Sequence, residues 1–242
     1  MRATAFFAGI VLALASQYAL SYAFGVSPIR VDLGPSARSG AISVSNDDQI
    51  PLSFQMKLVR WTQNDKGEDV YEDSKDLVYF PRLMSIEPKQ KRVIRVGTQA
   101  PPGPEELTYR LAIEEMTPLE EGARGAAVAV RMRFAVPVFV APLAPSIKTA
   151  VENLAVARGE VRFVVANTGN QHVRVEAAKV LRGDRVVAEV AGWYILAGAR
   201  RAFVLPLPAA ECGKPGALTL AIKGEGIEVS RELTVDASHC RP

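Results

Sequence analysis

Residues 126–140 read AAVAVRMRFAVPVFV. Its even positions Ala126, Val128, Val130, Met132 and Phe134 are all apolar, while Arg131 and Arg133 stand among the odd ones. Alternation with a period of two marks a strand that has one apolar face. Such a face either lines the core of the strand's own sandwich or, at a sheet edge, is offered to another protein. The surrounding sequence has to decide between the two.

Toward the N-terminus the same alternation recurs in short pieces. Ile29, Val31 and Leu33 alternate with Arg30 and Asp32, which places Arg30 on the face opposite the apolar row, and Gly34-Pro35-Ser36 ends the piece. Further strands are predicted at residues 41–45, 52–58, 77–80, 92–96 and 108–113, separated by turns at Asn46-Asp47-Asp48, Asn64-Asp65-Lys66-Gly67, Glu87-Pro88-Lys89 and Pro101-Pro102-Gly103-Pro104. The alternating stretch at 126–140 is then the seventh strand. Seven short strands with no helical period predict an immunoglobulin-like β-sandwich.

Beyond it, Pro142-Leu143-Ala144-Pro145 forms a stiff connector that interrupts any ladder. Strands then resume at 161–166, 173–181, 185–190, 202–207, 218–223 and 228–235, with turns at Asn167-Thr168-Gly169-Asn170 and Gly224-Glu225-Gly226. The chain is therefore expected to be all-β, with one immunoglobulin-like sandwich over 24–142 and a second over 146–242. Arg182-Gly183-Asp184 spells an adhesion triplet, but Gly-Asp between two strands is first of all a hairpin turn.

The N-terminus carries an address. Arg2 precedes an apolar run from Phe6 to Leu14, and Ser21-Tyr22-Ala23 presents small residues where a signal peptidase reads, so residues 1–23 are expected to be a signal peptide cleaved after Ala23. The run is shorter than the roughly 20 residues of a membrane span. Losing Arg2 takes the formal charge from +3 to +2, which gives no reason to expect nucleic acid or an anionic membrane as partner. Cys212 and Cys240 are the only cysteines, and an even count in an exported chain favours a disulfide between them.

Catalytic and metal-binding patterns are missing. The two histidines, His172 and His239, lack metal-ligand spacing, and His172, following a turn, is expected to face solvent. Neither a phosphate-cradling glycine loop nor a Gly-x-Ser-x-Gly elbow occurs. Glu114, Glu115, Glu120 and Glu121 cluster at a strand end and turn, where solvated charge is the ordinary explanation. The sequence predicts no enzyme, no cofactor and no metal. Trp61 and Trp193 fall in different sandwiches, which weakens a carbohydrate-binding reading because sugar platforms group their aromatics.

Three further segments carry a resemblance. They are Ser85-Ile86-Glu87-Pro88-Lys89-Gln90-Lys91-Arg92-Val93-Ile94-Arg95-Val96, the strand Tyr109-Arg110-Leu111 leading to Glu114-Glu115-Met116-Thr117-Pro118, and the asparagine turn Val165-Ala166-Asn167-Thr168-Gly169-Asn170. With the leader, the first-strand arginine and the alternating strand before the linker, the chain resembles the PapD-like periplasmic chaperones of the chaperone–usher pathway. That resemblance implies a periplasmic protein that lends a strand to an incomplete pilus or fimbrial subunit and passes it to an outer-membrane usher, a strand-addition mode of recognition known from such donor-strand complexes.

The resemblance also implies site residues. Val128, Val130, Met132 and Phe134 would fill the subunit's groove, together contributing about 6–12 kcal/mol before association costs if each gains roughly 1.5–3 kcal/mol. Arg30 matches the arginine that grips the subunit's C-terminal carboxylate. The partner lysine falls on Pro137 in an ungapped comparison, which leaves Arg133 or Arg131 as the nearest cation. Ala141 stands where the family has an arginine paired to the glutamate matched by Glu115, so that bridge lacks its cation; the Pro-Val-Phe-Val ending looks like a divergent branch. The competing reading is an exported structural or adhesive protein made of tandem sandwiches.

Overall fold

The computed structural model describes residues 24–99, 101–116 and 131–240. The leader expected over residues 1–23, the positions Val128 and Val130, and Glu120 and Glu121 lie outside these ranges.

Two β-sandwiches make up the described chain. In the first, one sheet has the order β1 (Phe24–Ser27), β3 (Ser39–Asn46), β8 (Lys91–Thr98), β6 (Leu77–Phe80). The facing sheet runs β2 (Val31–Leu33), β10 (Arg133–Val140), β9 (Leu107–Glu115), β4 (Leu52–Gln63), β5 (Asp69–Asp73), with β7 (Leu83–Ile86) also paired to β4. Between them Phe54, Leu58, Ile42, Ile94, Leu111 and Val138 form a closed core. Each fully buried side chain of this kind stabilises the fold by about 1.5–3 kcal/mol.

The chain's first described stretch serves both sheets, because β1 pairs with β3 in one and β2 lies parallel to β10 in the other. This corrects the single first strand expected from Ile29, Val31 and Leu33. Pro28, with no amide hydrogen, sits at the crossing, and Ile29 beside it is exposed while Val31 and Leu33 are buried. Strands β1, β5 and β7 also exceed the seven expected.

Alternation fails in an instructive way on β4 and β10. Even-numbered residues from Leu52 to Leu58 on β4 and along β10 face the sandwich core, yet Val59, Trp61, Pro137 and Phe139 on the other face are buried as well. The second sandwich covers that face: Trp61 and Phe139 pack with Tyr194 and Leu196 in a small core of their own.

The second sandwich sets β11 (Thr149–Ala157), β12 (Glu160–Asn167) and β16 (Arg200–Pro206) against β14 (Arg185–Ala191), β13 (Val173–Arg182), β17 (Gly216–Glu225) and β18 (Ile227–Val235), with β15 (Tyr194–Ile195) on β13. Gly183 and Asp184 are the hairpin turn between β13 and β14, with φ of +59° at Gly183. Arg182 is engaged by Glu211, so the triplet is part of the framework. A disulfide joins Cys212, at the end of the short helix α1 (Ala209–Cys212), to Cys240 in the terminal 3-10 turn, with Cα atoms 5.7 Å apart.

Candidate functional site

Strand β10 has two different edges. One is bonded along its whole length to β9, from Arg133 opposite Glu114 to Val140 opposite Leu107. The other is covered by β2 only from Val138 to Val140, and among the described residues no strand pairs with it from Arg133 to Pro137. Unpaired backbone donors and acceptors on such an edge are a template for an added strand. Pro137 supplies no donor, which is tolerated at an edge.

Met132 and Phe134 stand at this open end. Both are partly buried against the first sandwich's core, and the Phe134 ring meets Phe24 edge-on at 5.5 Å between centroids. Their row continues into Val136, Val138 and Val140, which are core residues. These two side chains therefore have less area left to offer a partner than a free row would have. Arg131 is exposed, and Arg133 pairs with Glu114 at 3.0 Å on the open surface.

Arg30 lies elsewhere, in the crevice between the sandwiches. Val31 stands opposite Val138, so continuing the register puts Arg30 level with Pro137. Arg133 is four residues away along β10, roughly 13 Å at strand spacing. The structure does not bring Arg30 together with Arg133 or Arg131.

Around Arg30 a cavity of about 240 Å³ is lined by Asp32, Phe139, His172 and Glu225, among others. The guanidinium lies over the Phe139 ring, 5.1 Å from its centroid. Its Nε donates to Asp32 Oδ1 at 2.8 Å and its Nη1 to Glu225 Oε2 at 2.5 Å. Burial opposes the charged form of Arg30, but the hydrogen bonds to Glu225 and then Asp32 outweigh it, so its pKa is raised further and the group stays cationic. The hydrogen bond from Arg30 in turn lowers the pKa of Glu225.

Glu225 reaches across from the tip of the β17–β18 hairpin. A Cβ on Gly224 would stand 1.9 Å from the Arg174 carbonyl oxygen, and Gly226 has φ of +75°, so both glycines are required to shape the tip that carries it.

In the wall of this cavity His172 departs from the expectation that it faces solvent. Its ring stacks on Phe139 at 3.7 Å between centroids, its Nδ1 lies 2.8 Å from Glu106 Oε2, and both side chains are buried. The turn that precedes His172 packs onto the first sandwich and does not project into water: Asn170 Nδ2 donates to the Pro104 and Ala144 carbonyls, and the Glu106 amide donates to Asn170 O. Sequence reasoning missed Glu106, His172 and Glu225; the only local hint was Phe139, an aromatic on the face of β10 opposite its core row.

Further bonds fix the two sandwiches. Gln63 Nε2 donates to Tyr194 O and its Oε1 accepts from the Leu196 amide, Trp193 Nε1 donates to Asp69 Oδ2, and Arg201 Nη1 donates to Gly67 O. The two tryptophans, assigned to separate sandwiches, in fact converge on Arg110, whose guanidinium carbon lies 3.8 Å from the Trp61 centroid and 5.5 Å from that of Trp193. Trp61 is fully buried there, so the pair forms no sugar platform. Among the described residues, no three His, Cys, Asp or Glu side chains group as metal ligands, and no helix is long and apolar enough to cross a membrane.

Residues 23–145 match the family model described as pili and flagellar-assembly chaperone, PapD N-terminal domain. The chain is similar to the solved chaperone–tip subunit complex CsuC-CsuE from the archaic chaperone-usher Csu pili of Acinetobacter baumannii, at 17% identity over 87% of this chain and 98% of that one, with a TM-score of 0.60. It is also similar to the SafA pilin–SafB chaperone complex of Salmonella enterica, at 14% identity, 90% and 98% coverage and a TM-score of 0.58. The CupB2 chaperone of Pseudomonas aeruginosa resembles it at 17% identity, 87% and 100% coverage and a TM-score of 0.55. At these identities the likeness is one of fold. No curated protein sequence matches the chain.

Proposed function

The chain belongs to the family of pili and flagellar-assembly chaperones that carry a PapD N-terminal domain, and from that premise we propose that it is a periplasmic chaperone that completes pilus or fimbrial subunits with its own strand. The observation that carries this reading is the edge of β10 from Arg133 to Pro137, left open among the described residues and flanked by the partly buried apolar side chains Met132 and Phe134. A subunit lacking one strand adds along that edge through main-chain bonds, and its apolar groove takes the row that begins at Val128 and Val130 and ends at Met132 and Phe134. Arg30 receives the subunit's terminal carboxylate, since a guanidinium fork suits a carboxylate and the crevice shields the pair from water. Arg133 and Arg131 are too far along β10 to share that carboxylate, and on this reading they hold the subunit's backbone or rim instead. Loaded chaperone then delivers the subunit to an outer-membrane usher.

Co-expression with an exported pilus subunit tests the proposal. The wild-type chain is expected to co-purify with the subunit from periplasmic extracts, whereas Met132→Glu, which drives a charge into an apolar groove, and Arg30→Ala both lose it while remaining folded. Undiminished recovery with both variants would favour a tandem-sandwich structural protein.

A further inference from the structure

Arg30 has five N–H donors, and they are not equally committed. Asp32 shares its strand segment and takes Nε, the side of the guanidinium nearest the backbone. Glu225 takes Nη1, at the outer fork, and comes from the other sandwich. With Nε taken, that outer fork of Nη1 and Nη2 is the pair left to give an incoming carboxylate two parallel N–H···O bonds. Glu225 is itself a carboxylate, half exposed, and lines the same cavity as Arg30.

We propose that Glu225 occupies on Arg30 the place of the client's terminal carboxylate, so that capture exchanges an interdomain ion pair for an intermolecular one. This rests on the reading of Arg30 as the carboxylate anchor. In the free crevice the outer fork of Arg30 is thus already engaged, and small carboxylates in the periplasm meet an occupied site. A client succeeds because its strand, paired along β10, raises the effective concentration of its carboxylate beside Arg30. Displaced, Glu225 returns to water at little cost, since half of its side chain is already hydrated. The glycines on either side of it, Gly224 and Gly226, hold the hairpin tip while the side chain alone swings away.

The test uses the full exported chain and a synthetic strand peptide of alternating valine and threonine, made once with a free C-terminal carboxylate and once as the amide. Both are titrated calorimetrically into wild type and into Glu225→Gln. Wild type is expected to bind the acid more tightly than the amide. Glu225→Gln is expected to bind the acid about two- to five-fold more tightly still, the factor a half-exposed ion pair contributes, with the amide unchanged. If the acid binds better than the amide to wild type but Glu225→Gln brings no gain or a loss, the competitor role is overturned while the anchor stands. If acid and amide bind alike to both proteins, or neither binds, the anchor reading falls and this inference with it. Glu225→Ala, run in parallel with a melting curve, guards against an effect peculiar to the amide side chain.

Discussion

His172 and Glu106 meet at 2.8 Å in the middle of the domain junction, with only 5% and 4% of their side chains exposed. Glu106 accepts from both the backbone amide and the ring of His172. Glu106→Ala strips both of their acceptor at a position where the two side chains are almost fully buried, and should lower stability by about 1–3 kcal/mol. Thermal unfolding followed by circular dichroism measures it. An unchanged midpoint would mean that the junction adds nothing to the stability of either sandwich.

This junction is also where the sequence was hardest to read. Alternation located β4, β9 and β10 because each strand buries one face in its own sandwich, a relationship carried by neighbours two residues apart. Asn64 to Gly67 and Gly183-Asp184 were legible as turns, and Cys212 with Cys240 as a pair, for equally local reasons. Burial of His172 depends instead on Phe139 and Glu106, 33 and 66 residues away in the chain, and the Arg30–Glu225 contact spans 195 residues. Nothing local marks a residue whose partner lies in another domain. Ile29 misled for a related reason, since it continues an apolar period across the point where the chain changes sheets.

Cysteine replacement should weaken the second sandwich alone. The bridge closes a loop with a sequence separation of 28, for which loop-closure entropy gives a stabilisation of about 3–4 kcal/mol. The double variant Cys212→Ser, Cys240→Ser avoids a stray thiol and is expected to unfold at lower denaturant in its second sandwich. Trp61 and Trp193 fluorescence both report the junction, so hydrogen exchange over residues 149–235 is the better measurement.

Acid should act on the same sandwich through Glu211. Hydrogen bonds from Arg185 at 2.6 Å and Arg182 at 2.9 Å pull its pKa down from an ordinary 4.5 to about 2. A carboxylate whose folded pKa is depressed favours folding fully above its unfolded pKa and loses that contribution as pH falls through the folded value. Stability should thus decline between about pH 4.5 and about pH 2, and Glu211→Gln should flatten that part of the profile. Denaturant midpoints at a series of acid pH values provide the measurement, and an identical slope in wild type and variant would show that other carboxylates govern the acid transition.

The open edge of β10 makes a prediction for the free molecule. Strand β9 is bonded on one side to β10 and on the other to β4, so its amides open only with the whole sheet. Among the described residues, 133–137 are bonded to β9 alone, so half of their backbone groups face outward. Hydrogen exchange resolved by peptide should therefore be faster over 133–137 than over 107–113 in the free chain. Binding of a subunit should slow the first segment and leave the second as it was, because the added strand bonds only to the outward groups. If both segments are equally protected before binding, that edge is already covered in solution, and strand addition would require it to be uncovered first.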